Sequence, residues 1–321
     1  MGKAKMVFLA TRPWSFPMTI LVGLIAGLTG YYKGYSIDWI LLTIGLIGSV
    51  LLHAMVNVLN DYYDTKRGLD RRGVGTVEYR PHPILHHILS PGETLVLGLI
   101  SGIVGLTLAS LVWYLGRPLA IPLGLIGFIL AYIYTGPPFP LKYNALGEIG
   151  VYFAWGVVIP IGNYYLATGK IDLMPVITVL PMAILVVNVL LANNLRDIEA
   201  DKEGGIKTLA TVVGFESGRK LFKILILLAY VIPIFYLPIK YTLFIAALPV
   251  YLTLKDGLNL SRMMDNGKAP PDADPRVAGV LQKYAILYLI GIIIVCIASH
   301  ILLNKTLPYF SPLDKFSMRF T

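Results

Sequence analysis

The sequence predicts an all-α protein that crosses a membrane about nine times and folds as one transmembrane domain over residues 1–321. Three observations carry this expectation. Hydrophobic residues make up 56% of the chain and charged residues only 14%, with a mean hydropathy of +0.71, which leaves too little polar surface to coat a soluble globule. The apolar residues gather in runs close to the roughly 20 that a helix needs to cross a bilayer. Lys and Arg, in addition, are shared unevenly between alternate loops.

The runs follow in order at 14–32, 39–59, 94–116, 118–135, 146–168, 173–194, 221–239, 241–254 and 282–303. The first comes after Lys3, Lys5, Thr11, Arg12 and Pro13 and has spanning length, so it reads as an anchor and not as a cleavable leader. Only Gly116-Arg117-Pro118 separates the third from the fourth, which implies a tight hairpin. The eighth is short and contains Pro249, so a count of eight spans stays open. The ninth holds Cys296, the single cysteine, which excludes an internal disulfide and argues against thiolate catalysis or a cysteine metal site. The tail from Leu307, with Tyr309, Phe310, Phe316 and Phe320 beside Lys315 and Arg319, fits an interfacial segment or a loose end.

Orientation follows from the basic residues. Of the 27 Lys and Arg, all but Lys33, Arg117, Lys170, Lys240, Lys305, Lys315 and Arg319 fall on the N-terminal side. The positive-inside rule therefore puts the N-terminus and the loops 60–92, 136–145 and 195–220 in the cytoplasm. The acids share that side, with Asp38, Asp172 and Asp314 the exceptions. The net charge of +9 then reflects topology and anionic headgroups. No aromatic-interleaved basic patch points to nucleic acid.

Two acidic clusters close apolar runs: Asn57-Val-Leu-Asn60-Asp61-Tyr-Tyr-Asp64 after the second, and Asn193-Asn194-Leu-Arg196-Asp197-Ile-Glu199-Ala-Asp201 after the sixth. A spacing of four sets Asn57 with Asp61, Asn60 with Asp64, and Asn193 with Asp197 and Asp201 on common helix faces. Carboxylates at a helix C-terminus face the negative end of its dipole, at a cost of about 0.3–1 kcal/mol each. Cations therefore belong nearby: Lys66, Arg67, Arg71, Arg72, Arg196, Lys202 and Lys207 as fixed ones, and Mg²⁺, which takes a few carboxylates plus substrate phosphates, as a mobile one. One such cluster reads equally well as a marker of the membrane interface; two matched clusters on one side point to a Mg²⁺–diphosphate clamp. The turn Tyr134-Thr-Gly-Pro-Pro-Phe-Pro-Leu-Lys142-Tyr143 is stiffened by its prolines. It can hold Lys142 against a diphosphate, or simply let it snorkel.

These segments resemble the UbiA superfamily of intramembrane prenyltransferases, from about Arg12 to the ninth run. The resemblance implies helices around a central cavity, with two Asp-rich motifs facing each other under a cytoplasmic cap. It implies Mg²⁺ held by Asn60, Asp61, Asp64, Asp197 and Asp201, the four aspartates being the catalytic set. It also implies Lys142, Arg67 and Lys202 on the diphosphate of a donor such as geranylgeranyl diphosphate. Asn57, Arg12, Tyr134 and Asn193 are assigned to a small aromatic acceptor, and Tyr132, Tyr134, Tyr152, Phe153 and Trp155 either face an allylic cation or form an interfacial belt. The Asn193-Asn194 form of the second motif and Gly68-x-Asp70 after the first resemble the branch that prenylates 1,4-dihydroxy-2-naphthoate for menaquinone; other branches carry Asp at the position of Gly68. The alternative acceptors are 4-hydroxybenzoate and geranylgeranylglyceryl phosphate. His86 and His87, in Arg80-Pro81-His82-Pro83-Ile-Leu-His86-His87, lack partners at ligand spacing and read as surface histidines. A transporter of a divalent cation or phosphate ester is the competing class, but its site belongs near the bilayer midplane, whereas these acids collect at one rim.

Overall fold

A computed structural model describes residues 3–70, 77 and 80–306, with side chains up to residue 298. Arg71, Arg72 and the tail 307–321, which carry some of the expectations above, lie outside the described residues. The chain forms α1 (Pro13–Lys33), α2 (Trp39–Lys66), α3 (Pro91–Tyr114), α4 (Ala120–Ile133), α5 (Gly147–Thr168), α6 (Met174–Arg196), α7 (Phe215–Ile239), α8 (Tyr241–Arg262) and α9 (Ala273–Thr306). Eight of these are long and apolar enough to cross a membrane, and α4 is a shorter apolar helix of 14 residues. No strand occurs among the described residues; a single bridge joins Asn144 to Lys207.

Caps set several boundaries. The Asp38 carboxylate accepts from the Leu41 amide at 3.0 Å and starts α2. Ser90 and Glu93 form a reciprocal capping box, with Pro91 in the first turn, and start α3. Four elements outrun their apolar runs. α2 carries on past 59 to Lys66. α7 begins at Phe215 rather than 221, because its first turns pack Gly218 on Leu195 while Arg219 and Lys223 pair with Asp265. α9 begins at Ala273 rather than 282, with Asp274 reaching Arg196. α8 continues to Arg262 through a 3₁₀ turn at Leu248–Thr253, which places Pro249 where a missing N–H is tolerated.

Packing is uneven, and that unevenness makes room for a site. The main core joins α1, α6, α7, α8 and α9 through Val22, Ile25, Met182, Leu185, Phe222, Tyr236, Leu243, Tyr284 and Tyr288, all fully or almost fully buried. α2 and α3 press together where Gly98 meets Leu59 and Gly105 meets the Gly48 carbonyl, as small residues allow between membrane helices. α4 buries only Ala120 and Ala131. Between α1, α2, α4, α5 and α6 a cavity of about 410 Å³ remains open.

Candidate active site

The first acidic motif lies on the last turns of α2. Asn60 Nδ2 donates to Asp64 Oδ2 at 2.8 Å, which is the expected four-residue pairing. Lys142 Nζ donates to the same oxygen at 2.5 Å and to Asn60 Oδ1 at 2.9 Å, and the Tyr143 hydroxyl donates to Asp64 Oδ1 at 2.7 Å. The proline turn makes this possible by folding back on α4: the Leu141 amide donates to the Ile133 carbonyl and the Lys142 amide to the Tyr134 carbonyl, both at 2.9 Å. Burial opposes the charge on Lys142, but the adjoining Asp64 more than offsets it and holds the ammonium pKa above the usual lysine range. Burial, reinforced by the Asp64 carboxylate, raises the Tyr143 phenol and keeps it protonated.

The second motif breaks where the first runs on. α6 stops at Arg196, Asp197 leaves helical geometry, and a short helix, Ile198–Glu203, carries Asp201. Arg196 clamps this break. Its Nε and Nη2 donate to the two Asp197 oxygens at 2.9 and 2.7 Å, Nη2 also donates to Asn193 Oδ1 at 2.8 Å, and Nη1 pairs with Asp274 of α9. Asp201 has Thr208 Oγ1 at 3.4 Å and, among the described residues, no ion-pair partner. Burial, aided by the charges of Asp197 and Asp64 and opposed by Lys142, lifts its pKa to about 6. Asn60, Asp64, Lys142, Asn193, Asp197 and Asp201 all line the one cavity.

Asp61 does not join them. The helical period turns it away from Asp64, and it sits fully buried under two guanidiniums: Arg80 donates to both its oxygens at 2.7 and 2.9 Å, and Arg12 pairs with Oδ1. Both ring nitrogens of buried His82 are engaged, one with Asp70 at 3.0 Å and the other by the Ile84 and Leu85 amides. Asp61, Asp70 and His82 come close enough to hold a cation, but two arginines already neutralise Asp61. The expected ligand is thus a structural counter-ion, and Arg80 and His82, which the sequence reading passed over, are its supports. His86 and His87 are exposed.

Other expectations shift too. Arg67 lies over the Tyr143 ring at 4.2 Å, and exposed Lys202 pairs with Glu199 at 2.9 Å; neither lines the cavity. Of the five aromatic side chains singled out, only Tyr134 and Trp155 line it. Arg12 and Asn57 do as well, and Arg12 leaves its buried Nε–H without an acceptor. A second miss by the sequence reading lies beside them. His53, one turn below Asn57, has Thr19 Oγ1 at 2.8 Å and Ser15 Oγ at 3.3 Å, and stands edge-on to Trp155. Trp155 Nε1 donates to the Thr19 hydroxyl at 3.2 Å, so that hydroxyl is free to donate to His53 Nδ1, leaving Nε2–H directed at Ser15. Trp155 itself occupies a π-helical turn, Ala154–Val158, a distortion common at functional sites.

A family model described as the UbiA prenyltransferase family matches residues 16–266. The chain belongs to this family. A 1,4-dihydroxy-2-naphthoate octaprenyltransferase from Bacillus subtilis is 31% identical over 229 residues, covering 69% of this chain and 70% of the relative. A UbiA prenyltransferase domain-containing protein 1 from Dictyostelium discoideum is 31% identical over 270 residues, covering 78% and 76%. Among solved structures, a UbiA homologue from Archaeoglobus fulgidus bound to GPP and Mg²⁺ superposes with a TM-score of 0.63 at 16% identity, over 91% of this chain and 98% of that one. A digeranylgeranylglyceryl phosphate synthase superposes with a TM-score of 0.60 at 18% identity, over 93% and 100%. The chain is therefore a membrane prenyltransferase with the UbiA fold.

The fold also explains Gly68, read above as a branch marker. It has φ +75° and ends α2: the Leu69 amide donates to the Asp64 carbonyl and the Gly68 amide to that of Thr65. This is a Schellman cap, which favours glycine at that position. Gly68 does not line the cavity; its place in the fold is to end α2.

Proposed function

We propose that this prenyltransferase moves the prenyl chain of an isoprenyl diphosphate onto 1,4-dihydroxy-2-naphthoate in a Mg²⁺-dependent reaction, with the site open toward the cytoplasm. The observation that carries the reading is the meeting of Asp64, Asp197 and Asp201 with Lys142 at one end of a largely apolar cavity. The donor set suits the metal. Carboxylate and amide oxygens without thiolate or imidazole are hard ligands of the kind Mg²⁺ takes alongside phosphate, and Asn60, Asp64, Asp197 and Asp201 would hold it. When bound, Mg²⁺ supplies charge neutralisation for the diphosphate oxygens.

The chain's own residues do the rest. Lys142, fixed by its turn, offers donors to the departing diphosphate as the C1–oxygen bond breaks and its electron pair leaves on oxygen. The apolar wall below keeps water from the allylic cation, and the Trp155 and Tyr134 rings face the region where it forms. An electron-rich ring carbon of the acceptor then bonds to C1. The ring regains its aromaticity by losing its carboxylate as CO2, the electrons of the broken C–C bond returning to the ring. The free Nε–H of Arg12, with Asn57 and His53 below it, forms a polar wall between α1 and α2 and suits an aromatic acceptor bearing hydroxyl and carboxylate groups. The naphthoate-specific relative supports that choice. Asp61 acts as a positioning residue, since it holds both Arg12 and Arg80.

The test is an assay of one purified preparation with geranylgeranyl diphosphate and each of three acceptors. Mg²⁺-dependent diphosphate release with dihydroxynaphthoate is the expected outcome. Product only with 4-hydroxybenzoate or with geranylgeranylglyceryl phosphate would sink the acceptor assignment.

A further inference from the structure

One buried carboxyl group beside the second acidic motif takes no part in the chemistry above. Glu148, in the first turn of α5, is only 6% exposed. The positive end of that helix favours an acid there, but a carboxyl sealed from water still needs hydrogen bonds to be tolerated. Its Oε1 accepts from Asn194 Nδ2 of α6 at 2.9 Å, and its Oε2 is sealed in protein with no partner among the described residues. Asn194 is thus, among the described residues, the one side chain that Glu148 holds.

That contact fixes an amide. A carboxylate oxygen can only accept, so Asn194 must turn Nδ2 toward α5 and Oδ1 away from it. Asn194 lines the cavity, one helical turn before Asp197. Among the described residues its Oδ1 has no hydrogen-bond partner, yet it is not sealed in protein. The neighbouring Asn193 is set the opposite way. Its Oδ1 accepts from Arg196 Nη2 at 2.8 Å, and a guanidinium can only donate, so Nδ2 is the end left for the cavity that Asn193 also lines. Adjacent amides therefore offer an N–H and a carbonyl oxygen side by side. Phosphate oxygens suit the first, and a hard divalent cation suits the second.

We propose that Glu148 is a positioning residue for the divalent cation, and that Asn194 Oδ1 is a neutral oxygen ligand for that cation beside Asp197 and Asp201. Glu148 itself does not line the cavity; it acts through the amide it orients. Outer hydrogen-bond partners of this kind change metal affinity by about 10- to 100-fold when they are removed. The inference rests on the Mg²⁺–diphosphate reading above and adds to it one ligand and the residue that aims it.

The experiment is calorimetry of Mg²⁺ binding to the full-length protein, with neither donor nor acceptor present. It compares wild type with Glu148→Leu, Glu148→Gln, Asn194→Ala and the combination of Glu148→Leu with Asn194→Ala. Glu148→Leu and Asn194→Ala should each weaken binding by roughly 10- to 100-fold. The combination should bind no more weakly than Asn194→Ala, because residues that act through one contact are not additive. Glu148→Gln removes the same charge as leucine but keeps an acceptor oxygen. It should hold affinity within about fivefold of wild type, the difference between a charged and a neutral hydrogen bond. That rescue separates orientation from charge and from packing. Glutamine as weak as leucine, or leucine as strong as wild type, would overturn the proposal. So would unchanged affinity in Asn194→Ala, which with Glu148→Gln decides the matter if Glu148→Leu does not yield folded protein. Absence of Mg²⁺ binding by wild type would overturn the metal reading itself, and this inference with it.

Discussion

The two acidic motifs are built on the same cap and charged differently. In the first, Asp64 stands four residues before Gly68; in the second, Asp201 stands four before Gly205. Both glycines take positive φ, +75° and +68°. In each case the next amide, of Leu69 or Ile206, returns to the aspartate carbonyl at 2.9 Å. Backbone geometry thus sets the two carboxylates in equivalent places, three residues inside a helix end. Their surroundings diverge. Asp64 has an ammonium, a phenol and an amide on it, whereas Asp201 has one distant hydroxyl. Its neighbour Asp197 takes the cation of that half, Arg196. The second half therefore keeps one carboxylate short of positive charge, which is the condition under which a divalent ion gains most by binding.

The largest effect expected from this comparison is loss of turnover in Asp64→Asn and in Asp197→Asn. Each should drop kcat by at least about 100-fold, the scale on which electrostatic transition-state partners act. Near-normal activity in either folded variant would remove that residue from the site. Asparagine is the better probe for Asp64, since alanine would strand the largely buried Lys142 without its partner, at a cost of roughly 3–5 kcal/mol.

Next comes Lys142→Met, for which steady-state kinetics should show a loss of roughly 10- to 100-fold carried partly by donor KM. Arg67→Met and Lys202→Met should stay within about threefold, because neither side chain reaches the cavity. A larger loss at Lys202 than at Lys142 would reverse the assignment of cations to the two halves.

Asp201 makes a prediction in pH. Its pKa is raised to about 6, so the carboxylate is charged above that value and protonated below it. Metal binding requires the charged form. Mg²⁺ affinity, followed by calorimetry, should weaken about tenfold from pH 7 to pH 5, the fall in ionised carboxylate for a group titrating near 6. Asp201→Asn should bind weakly at both and lose this part of the slope. A wild-type slope unchanged by the substitution would assign the titration to another group.

The smallest effect concerns the caps. Gly68→Ala and Gly205→Ala each force a side chain into the left-handed region, at about 1 kcal/mol. Matching shifts of a few degrees in the Tm of the solubilised protein are expected. Unequal shifts would show that the two helix ends, alike in hydrogen bonding, are not alike in strain.

Much of this protein is written in one dimension. Hydropathy located the long apolar helices, because burial in lipid requires long uninterrupted apolar runs, but the run at 118–135 yields only the 14-residue α4, and polar turns extend α2, α7, α8 and α9 beyond the apolar stretch. The four-residue spacings found Asn60 with Asp64 and Asn193 with Asp197, since a helix fixes which neighbours share a face. The same spacing could not say that Asp61 faces Arg80, 19 positions away across a loop, or that His53 meets a threonine from α1. Such contacts have no period to betray them.

The sequence alone, then, determined the membrane fold, the two carboxylate motifs and their common edge, because these depend on local hydrogen bonding, helix period and solvent preference. Only the tertiary structure decided which charges meet. It gave Lys142 to Asp64 and Arg196 to Asp197, and withdrew Asp61 behind two arginines, because charge pairing depends on distances between helices that no spacing along the chain encodes.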